Sequence, residues 1–169
     1  DPKTGGVLAM SSFPTFDPRN FQEYKEDLYK NPIISFAYEP GSTFKPLVMA
    51  AALDAGFVKA DTPCDICDGP VSIGQYDIKT WNGEYRSNLS MTDVIIHSDN
   101  TGMVFTGRKL GLDRLLSYFD KFGIGRSTGI DLQGEVYPSL RSREEWYPID
   151  QATATFGQGL TTTPINLIT

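Results

Sequence analysis

The sequence contains few of the residues that bind metals or carry redox chemistry. It has two cysteines, Cys64 and Cys67, and a single histidine, His97. Two cysteines do not complete a four-ligand zinc site by themselves, and a thioredoxin-like motif would lie near a βαβ pattern, which is absent. We interpret the pair as free thiols or a local disulfide, with metal binding as the remaining alternative. We therefore expect no metal and no cofactor, and we expect His97 at a helix end rather than as a general base.

Basic clusters and long apolar runs are also missing. The net charge is −6 at pH 7, from 15 Lys and Arg against 21 Asp and Glu, which argues against a nucleic-acid partner and an anionic membrane surface. No apolar run approaches the length of a membrane span, and no signal peptide is recognisable. A chain of 169 residues with 40% hydrophobic residues is long and apolar enough to bury a core as one domain.

The most informative stretch is Tyr38-Glu39-Pro40-Gly41-Ser42-Thr43-Phe44-Lys45-Pro46. Pro40-Gly41 is a turn dipeptide, and Pro46 tolerates about one helical turn in front of it, so a helix must begin near Ser42. On that helix Ser42 and Lys45 are neighbours on one face, and Ser42 meets the positive end of the helix dipole. A structural alternative makes Ser42 an N-cap and Lys45 a solvated surface charge.

A second polar motif, Ser98-Asp99-Asn100, follows downstream. Ser90-Met91-Thr92-Asp93 predicts a capping box that opens a short helix, and the next helix starts near Thr101. The triplet therefore falls at a junction between helices, where a hydroxyl and an amide can point into a cleft; the alternative is a polar turn with Asn100 as a cap. S-x-x-K followed by S-D-N is part of the signature of serine penicillin-binding proteins and class A β-lactamases.

With both motifs in place, the chain resembles the transpeptidase domain of class B penicillin-binding proteins from end to end. The similar segments are Asp1 to Met10, Tyr38 to Pro46, His97 to Gly102, Phe122 to Gly125 with Thr128 to Glu135, and Gly157 through Thr163-Pro164. The resemblance implies an α+β, β-lactamase/transpeptidase-like fold, with an antiparallel sheet between helical layers.

The family's third motif, Lys-Thr/Ser-Gly, should follow Gly157-Gln158-Gly159 by many tens of residues, and it does not occur before Thr169. Lys3-Thr4-Gly5 precedes the motif of Ser42 and Lys45, whereas the third motif should follow it, so we assign Lys3-Thr4-Gly5 no catalytic role. We expect residues 1–169 to be a partial penicillin-binding transpeptidase domain whose C-terminal strands lie beyond residue 169. Such a chain on its own is expected to fold poorly and to be inactive.

The resemblance also implies a function: a D,D-transpeptidase that cross-links peptidoglycan stem peptides and is acylated by β-lactams. Ser42 would attack the penultimate D-Ala carbonyl, and Lys45 would take its proton, which requires a depressed lysine pKa. Ser98 would relay protons to the leaving amine, and Asn100 would hold Lys45 and the substrate amide. The domain would lie on the extracytoplasmic face of the bacterial cell membrane, anchored outside these residues, with a cell-wall synthesis complex as a partner.

Two other classes stay open. One is a β-lactam sensor that is acylated without turnover, and the other is a serine D,D-carboxypeptidase or β-lactamase that uses water as the acceptor. A β-lactamase would need a deacylating glutamate, for which Glu135, Glu144 and Glu145 are available. The segment around Glu135 resembles class B proteins instead. The lifetime of the acyl-enzyme distinguishes these functions.

Local patterns predict several further elements, without internal repeats. They are a strand over Gly6–Ser11, a short helix near Gln22–Tyr29, a hairpin of Val71–Ile73 with Tyr76–Ile78, a helix with its apolar stripe at Leu112, Leu115, Leu116, Phe119 and Phe122 that ends at Gly123, and a turn-rich stretch over 124–150 in which Trp146 and Tyr147 pack a loop.

Overall fold

The computed structural model describes residues 1–169 and divides them into two units. The larger unit contains residues 39–122 and 140–161, and the smaller contains residues 1–38, 123–139 and 162–169. None of the helices has both the length and the apolar character needed to cross a membrane.

Helices dominate the secondary structure. The α-helices are α1 (Pro32–Ser35), α2 (Lys45–Asp54), α3 (Met91–Ile96), α4 (Asn100–Leu110), α5 (Leu112–Lys121), α6 (Pro148–Ala154) and α7 (Pro164–Ile168). Four 3₁₀ helices cover Pro18–Glu23, Glu26–Tyr29, Gly41–Phe44 and Arg143–Glu145. The sheet is one antiparallel pair, β1 (Val71–Ile73) and β2 (Tyr76–Ile78).

The hairpin forms as predicted from its turn residues. Val71 pairs with Ile78, Ser72 with Asp77 and Ile73 with Tyr76, and Gly74 begins the turn at a φ of +60°, which a residue without a Cβ adopts easily. The α+β class is therefore confirmed, with this hairpin as the sheet within residues 1–169.

The core of the larger unit lies where α2 meets α4 and α5. Phe44, just before α2, and Phe119 of α5 are both buried, and their rings meet edge to face with centroids 5.2 Å apart. Gly102 of α4 lies against Val94 of α3: a Cβ at position 102 would be 2.2 Å from a Val94 methyl carbon. Only glycine fits there, so α3 and α4 approach closely at their junction.

The helix predicted from the apolar stripe is α5. Leu115 and Phe119 are fully buried, whereas the other members of the stripe are half-buried. The chain leaves the helix through Gly123 at a φ of +71°, the left-handed conformation that glycine adopts beyond a helix end.

The smaller unit brings α1 against α7. Thr163 caps α7, and Pro164 occupies its first turn, as the sequence pattern indicates. Buried Asn166 donates from its side-chain amide to the carbonyls of Gly123 (3.0 Å) and Arg126 (3.3 Å), which ties α7 to the turn after α5.

Three local predictions need correction. Residues 6–11 do not form a strand, because no segment within residues 1–169 pairs with them through a ladder of backbone hydrogen bonds. The helix expected near Gln22–Tyr29 is two short 3₁₀ helices that break at Tyr24 and Lys25, where the backbone is extended. Trp146 is buried, but Tyr147, which occupies the N-cap position of α6, is 69% exposed and does not pack the loop.

The cysteines are joined: Cys64 and Cys67 form a disulfide and are both buried. Of the alternatives left open by the sequence, the structure therefore contains the local bridge. Its loop is fixed to the segment before α3, because the Cys64 amide donates to the carbonyl of Leu89 at 2.7 Å.

Candidate active site

The turn that carries Ser42 begins with a left-handed glycine. Gly41 has a φ of +57°, and the 3₁₀ helix that follows runs directly into α2. Ser42 is exposed and lies in the first turn of this continuous helical segment. The expected helix start near Ser42 is therefore confirmed. N–H groups in a first turn have no acceptor within the helix, so the Ser42 N–H is available to a developing oxyanion.

Sequence reasoning missed one contact of this turn. The Gly41 amide donates to the Gly157 carbonyl at 2.8 Å, and Gly157 has a φ of +76°. A Cβ at position 157 would lie 2.2 Å from the Gly41 carbonyl oxygen and 2.8 Å from the Phe44 Cβ. No residue other than glycine fits at position 157. The only sign of this contact in the sequence was the resemblance of Gly157-Gln158-Gly159 to a family segment.

Lys45 is buried and bonded to the second motif. Lys45 is only 2% exposed. Its Nζ donates to the Ser98 carbonyl (2.6 Å), the Ser98 Oγ (3.0 Å) and the Asn100 Oδ1 (2.7 Å). An ammonium group has three N–H donors, so the three acceptors satisfy it completely. The alternative of a solvated surface lysine is wrong.

Burial changes the acidity of this lysine. Removal from water lowers the pKa of Lys45 from 10.5 to about 8, while the nearby Asp99 carboxylate works in the opposite direction. Desolvation is the larger effect because it penalises the charged form of the amine directly. With a pKa of about 8, roughly one tenth of the Lys45 side chains are neutral at pH 7. The residue can therefore accept a proton at physiological pH.

The Ser98-Asp99-Asn100 triplet lies at the junction between α3 and α4, as expected. The capping box of Ser90 and Asp93 opens α3, and His97 ends it, in agreement with the sequence pattern. Ser98 then adopts a φ of +53°, which is uncommon for a residue with a side chain. This conformation lets both its carbonyl and its hydroxyl reach the same Lys45 nitrogen.

The cap of α4 is Asp99, not Asn100. The Asp99 carboxylate accepts from the Gly102 amide at 2.9 Å and from the Thr101 hydroxyl at 2.6 Å. Asn100 makes different contacts: its Nδ2 donates to the Lys79 carbonyl at 2.9 Å. Because the amide nitrogen is held by Lys79, its oxygen faces Lys45, and Asn100 is oriented as an acceptor for the lysine.

The segment after β2 forms another wall of this junction. Besides Lys79, it contains Trp81, whose indole N–H donates weakly to the His97 carbonyl at 3.4 Å. Trp81 remains 75% exposed. Neither Lys79 nor Trp81 was singled out from the sequence, because a backbone carbonyl and an exposed ring have no motif.

The site thus brings Lys45, Ser98 and Asn100 into direct contact, and Ser42 lies one helical turn before Lys45. No hydrogen bond joins the Ser42 side chain to Lys45, since the lysine is fully occupied by the other two residues. No group of three or more His, Cys, Asp or Glu side chains within residues 1–169 is arranged to hold a metal ion.

The chain is similar to known proteins over its whole length. All of residues 1–169 match the family described as penicillin binding protein transpeptidase domain. The chain is 37% identical over 169 residues to stage V sporulation protein D of Bacillus subtilis, covering 99% of this chain and 26% of that protein. It is 32% identical over 167 residues to the peptidoglycan D,D-transpeptidase FtsI of Escherichia coli K12, covering 99% of this chain and 28% of that protein.

A solved structure shares the fold. The crystal structure of Pseudomonas aeruginosa PBP2 in complex with WCK 5153 superimposes with a TM-score of 0.86 at 33% identity, covering 98% of this chain and 43% of that one. The chain belongs to the penicillin-binding protein transpeptidase domain family. It spans about a quarter of the length of the curated relatives named above.

Proposed function

We propose that this chain supplies the nucleophile and the base of a serine D,D-transpeptidase that cross-links peptidoglycan stem peptides. The observation that carries the proposal is the buried Lys45, with a lowered pKa, held by Ser98 and Asn100 one turn after an exposed serine. A serine hydroxyl with a neutral amine beside it is a sufficient pair for acyl transfer. Membership of the transpeptidase domain family supports this reading of the pair.

The first half of the reaction is acylation. Ser42 Oγ attacks the penultimate D-Ala carbonyl carbon as its proton moves to the neutral Lys45 Nζ, and the Ser42 N–H stabilises the oxyanion. The C–N bond to the terminal D-Ala then breaks, and the proton passes from Lys45 through the Ser98 hydroxyl to the leaving amine. An amine from a second stem peptide then attacks the ester carbonyl carbon. A new amide bond forms as the C–O bond to Ser42 breaks, and the proton lost by the amine returns to the Ser42 Oγ.

Hydrogen-bond polarity explains why Ser98 is suited to the relay. The Ser98 carbonyl and the Asn100 Oδ1 can only accept, so they hold two N–H groups of Lys45 in either protonation state. The third position of a neutral amine is a lone pair. A hydroxyl can accept from the ammonium or donate to that lone pair, so Ser98 Oγ can follow the change in protonation without moving.

The same chemistry accounts for β-lactams as covalent inhibitors, because opening the lactam amide also leaves an ester on Ser42. Peptidoglycan is the proposed substrate, so the site would act on the extracytoplasmic side of the bacterial cell membrane. An anchor would lie outside residues 1–169, and a cell-wall synthesis complex is the proposed partner.

No observation favours the hydrolytic alternative. The Glu135 carboxylate accepts from the Ser127 hydroxyl and from the Thr128 amide and hydroxyl at 2.6–2.7 Å. The Glu145 carboxylate closes a capping box with Ser142. Both carboxylates are therefore engaged in their own loops, and Glu144 makes no hydrogen bond that would position it as a deacylating base.

Labelling with a fluorescent penicillin tests the proposal. In the full-length protein, the tryptic peptide that contains Ser42 should be labelled covalently, and Ser42→Ala should lose the label. Thr43→Ala removes the neighbouring hydroxyl and is the matched control, which should still be labelled. Undiminished labelling of Ser42→Ala would place the nucleophile elsewhere and refute the proposal.

Turnover separates the three functions. A stem pentapeptide ending in D-Ala-D-Ala is incubated with a labelled D-amino acid as acceptor. Exchange of the terminal residue indicates a transpeptidase, release of D-Ala alone indicates a carboxypeptidase, and a stable acyl-enzyme without product indicates a sensor.

A further inference from the structure

The loop Gly157-Gln158-Gly159, which we call the glycine loop, holds the Ser42 turn at two points. The Gly157 carbonyl accepts from the Gly41 amide at 2.8 Å. The Gly159 amide donates to the Glu39 Oε1 at 3.0 Å, although the two residues are 120 positions apart in the chain. The two contacts flank Pro40 and lie immediately before the nucleophile.

The glycine loop is itself fixed on its other side. The Gly157 and Gln158 amides donate to the Ala154 and Thr153 carbonyls, at 3.2 and 3.0 Å, at the end of α6. The Gly159 carbonyl accepts from the Arg141 guanidinium at 3.2 Å. These bonds fix the position of the glycine loop, so they also restrict the Ser42 turn, which is bonded to the loop.

Glu39 is exposed to solvent, and it does not pair with a basic side chain. Its directed bond is to a backbone amide of the glycine loop. Because the Glu39 carboxylate is exposed, its bond to the Gly159 amide buries little surface. The bond instead restricts the position of the turn before Ser42.

We infer that Glu39 is a positioning residue for the Ser42 nucleophile, acting as a hydrogen-bond acceptor for the Gly159 amide. With the Gly157 carbonyl on Gly41, it fixes the turn at two points and keeps Ser42 in place relative to Lys45. The inference rests on the proposed function, because it assumes that Ser42 is the acylated residue. Small displacements of a reacting group lower the rate of reaction strongly while substrate binding is retained.

Two substitutions separate the acceptor from the charge. Glu39→Ala removes the acceptor, whereas Glu39→Gln keeps an oxygen at the Oε1 position and removes the charge. Glu23→Ala is the matched control, because it removes an exposed carboxylate that has no assigned role in the site. Acylation by a fluorescent penicillin is followed at several concentrations, so that the saturating rate constant and the apparent binding constant are obtained separately.

Glu39→Ala should lower the saturating rate constant by about tenfold and leave the binding constant within about twofold. Glu39→Gln should restore most of the rate, and Glu23→Ala should resemble wild type. Thermal unfolding of each variant is measured in parallel. A wild-type rate in Glu39→Ala, an equal loss in Glu39→Gln, or a loss that tracks a lower melting temperature would each overturn the inference.

Amide hydrogen exchange tests the same bond without acylation. In Glu39→Ala the Gly159 and Gly41 amides should exchange faster than in wild type, and in Glu39→Gln they should not. Unchanged exchange in Glu39→Ala would show that the bond does not restrain the turn. If the wild-type protein were not labelled by penicillin at all, the proposed function would be refuted. If the wild-type protein were labelled and Glu39→Ala were acylated at the same rate, only the role of Glu39 would be refuted.

Discussion

The dependence of acylation on pH follows directly from the environment of Lys45. If the neutral amine is the base, the acylation rate is proportional to the neutral fraction of Lys45, whose pKa is about 8. That fraction rises from about 10% at pH 7 to about 90% at pH 9, so the rate should rise about tenfold and then level off. A lysine with an ordinary pKa of 10.5 would give a rise of about 100-fold over the same interval, without a plateau.

One substitution should move this midpoint in a known direction. The Asp99 carboxylate raises the pKa of Lys45, opposing the effect of burial. Asp99→Asn removes the charge but retains a side chain that serves well as a helix N-cap, so α4 should stay intact. The midpoint of the acylation profile should therefore shift to lower pH. Asp61→Asn, at an exposed position in a turn, is the matched control and should leave the midpoint unchanged.

The assay is stopped-flow acylation by a fluorescent penicillin from pH 6 to pH 10.5 at constant ionic strength, with melting temperatures measured at each pH. A rate independent of pH between 7 and 9 would refute the role of Lys45 as the base. A continuous 100-fold rise would refute the effect of burial on its pKa. A midpoint that moves upward in Asp99→Asn would show that the electrostatic argument has the wrong sign.

Lys45 supports two further predictions. Lys45→Ala should slow acylation about 10²–10⁴-fold. Lys45→Arg should be nearly as slow, because a guanidinium does not deprotonate in proteins. If Lys45→Arg reacted near the wild-type rate in the same assay, Lys45 would be a structural cation and not the base. Because the pKa of Lys45 is lower in the folded protein, the unfolded chain binds more protons between pH 8 and 10.5, so the free energy of unfolding should rise with pH across that window. Relative to Lys45→Met, which lacks this group, the rise should reach at most about 3 kcal/mol, measured by urea unfolding, and parallel curves for the two proteins would contradict it.

Local rules predicted much of the architecture. The helix start near Ser42 followed from the two prolines that flank it, and the start of α3 followed from the Ser90 capping box. The hairpin followed from short alternating segments around Gly74. Each of these signals acts over a few residues, so neighbouring side chains alone determine the outcome.

Two features that the sequence did not reveal depend on distant partners. The apolar run over residues 6–11 has the composition of a strand, but a strand also requires a neighbouring backbone to pair with. Gly157 gave no local sign of its role, because its close contact with Gly41 exists only in the folded chain. The residue types did not show whether Asp99 or Asn100 caps α4, because aspartate and asparagine are both good N-caps.

The Lys45 environment is the clearest case of information that the motif alone does not contain. A lysine in a random S-x-x-K is expected to be solvated, and nothing within four residues of Lys45 lowers its pKa. The lowering of the pKa comes from burial of the amine, in the region where α2 packs against α4, while the junction at Ser98 and Asn100 provides three hydrogen-bond acceptors for the buried group. Those acceptors replace the lost water without placing a full negative charge in contact with the amine. A salt bridge in their place would raise the pKa and keep the lysine protonated. Burial among neutral acceptors, with no carboxylate in direct contact, therefore leaves the pKa of Lys45 low enough for the proposed role as a base.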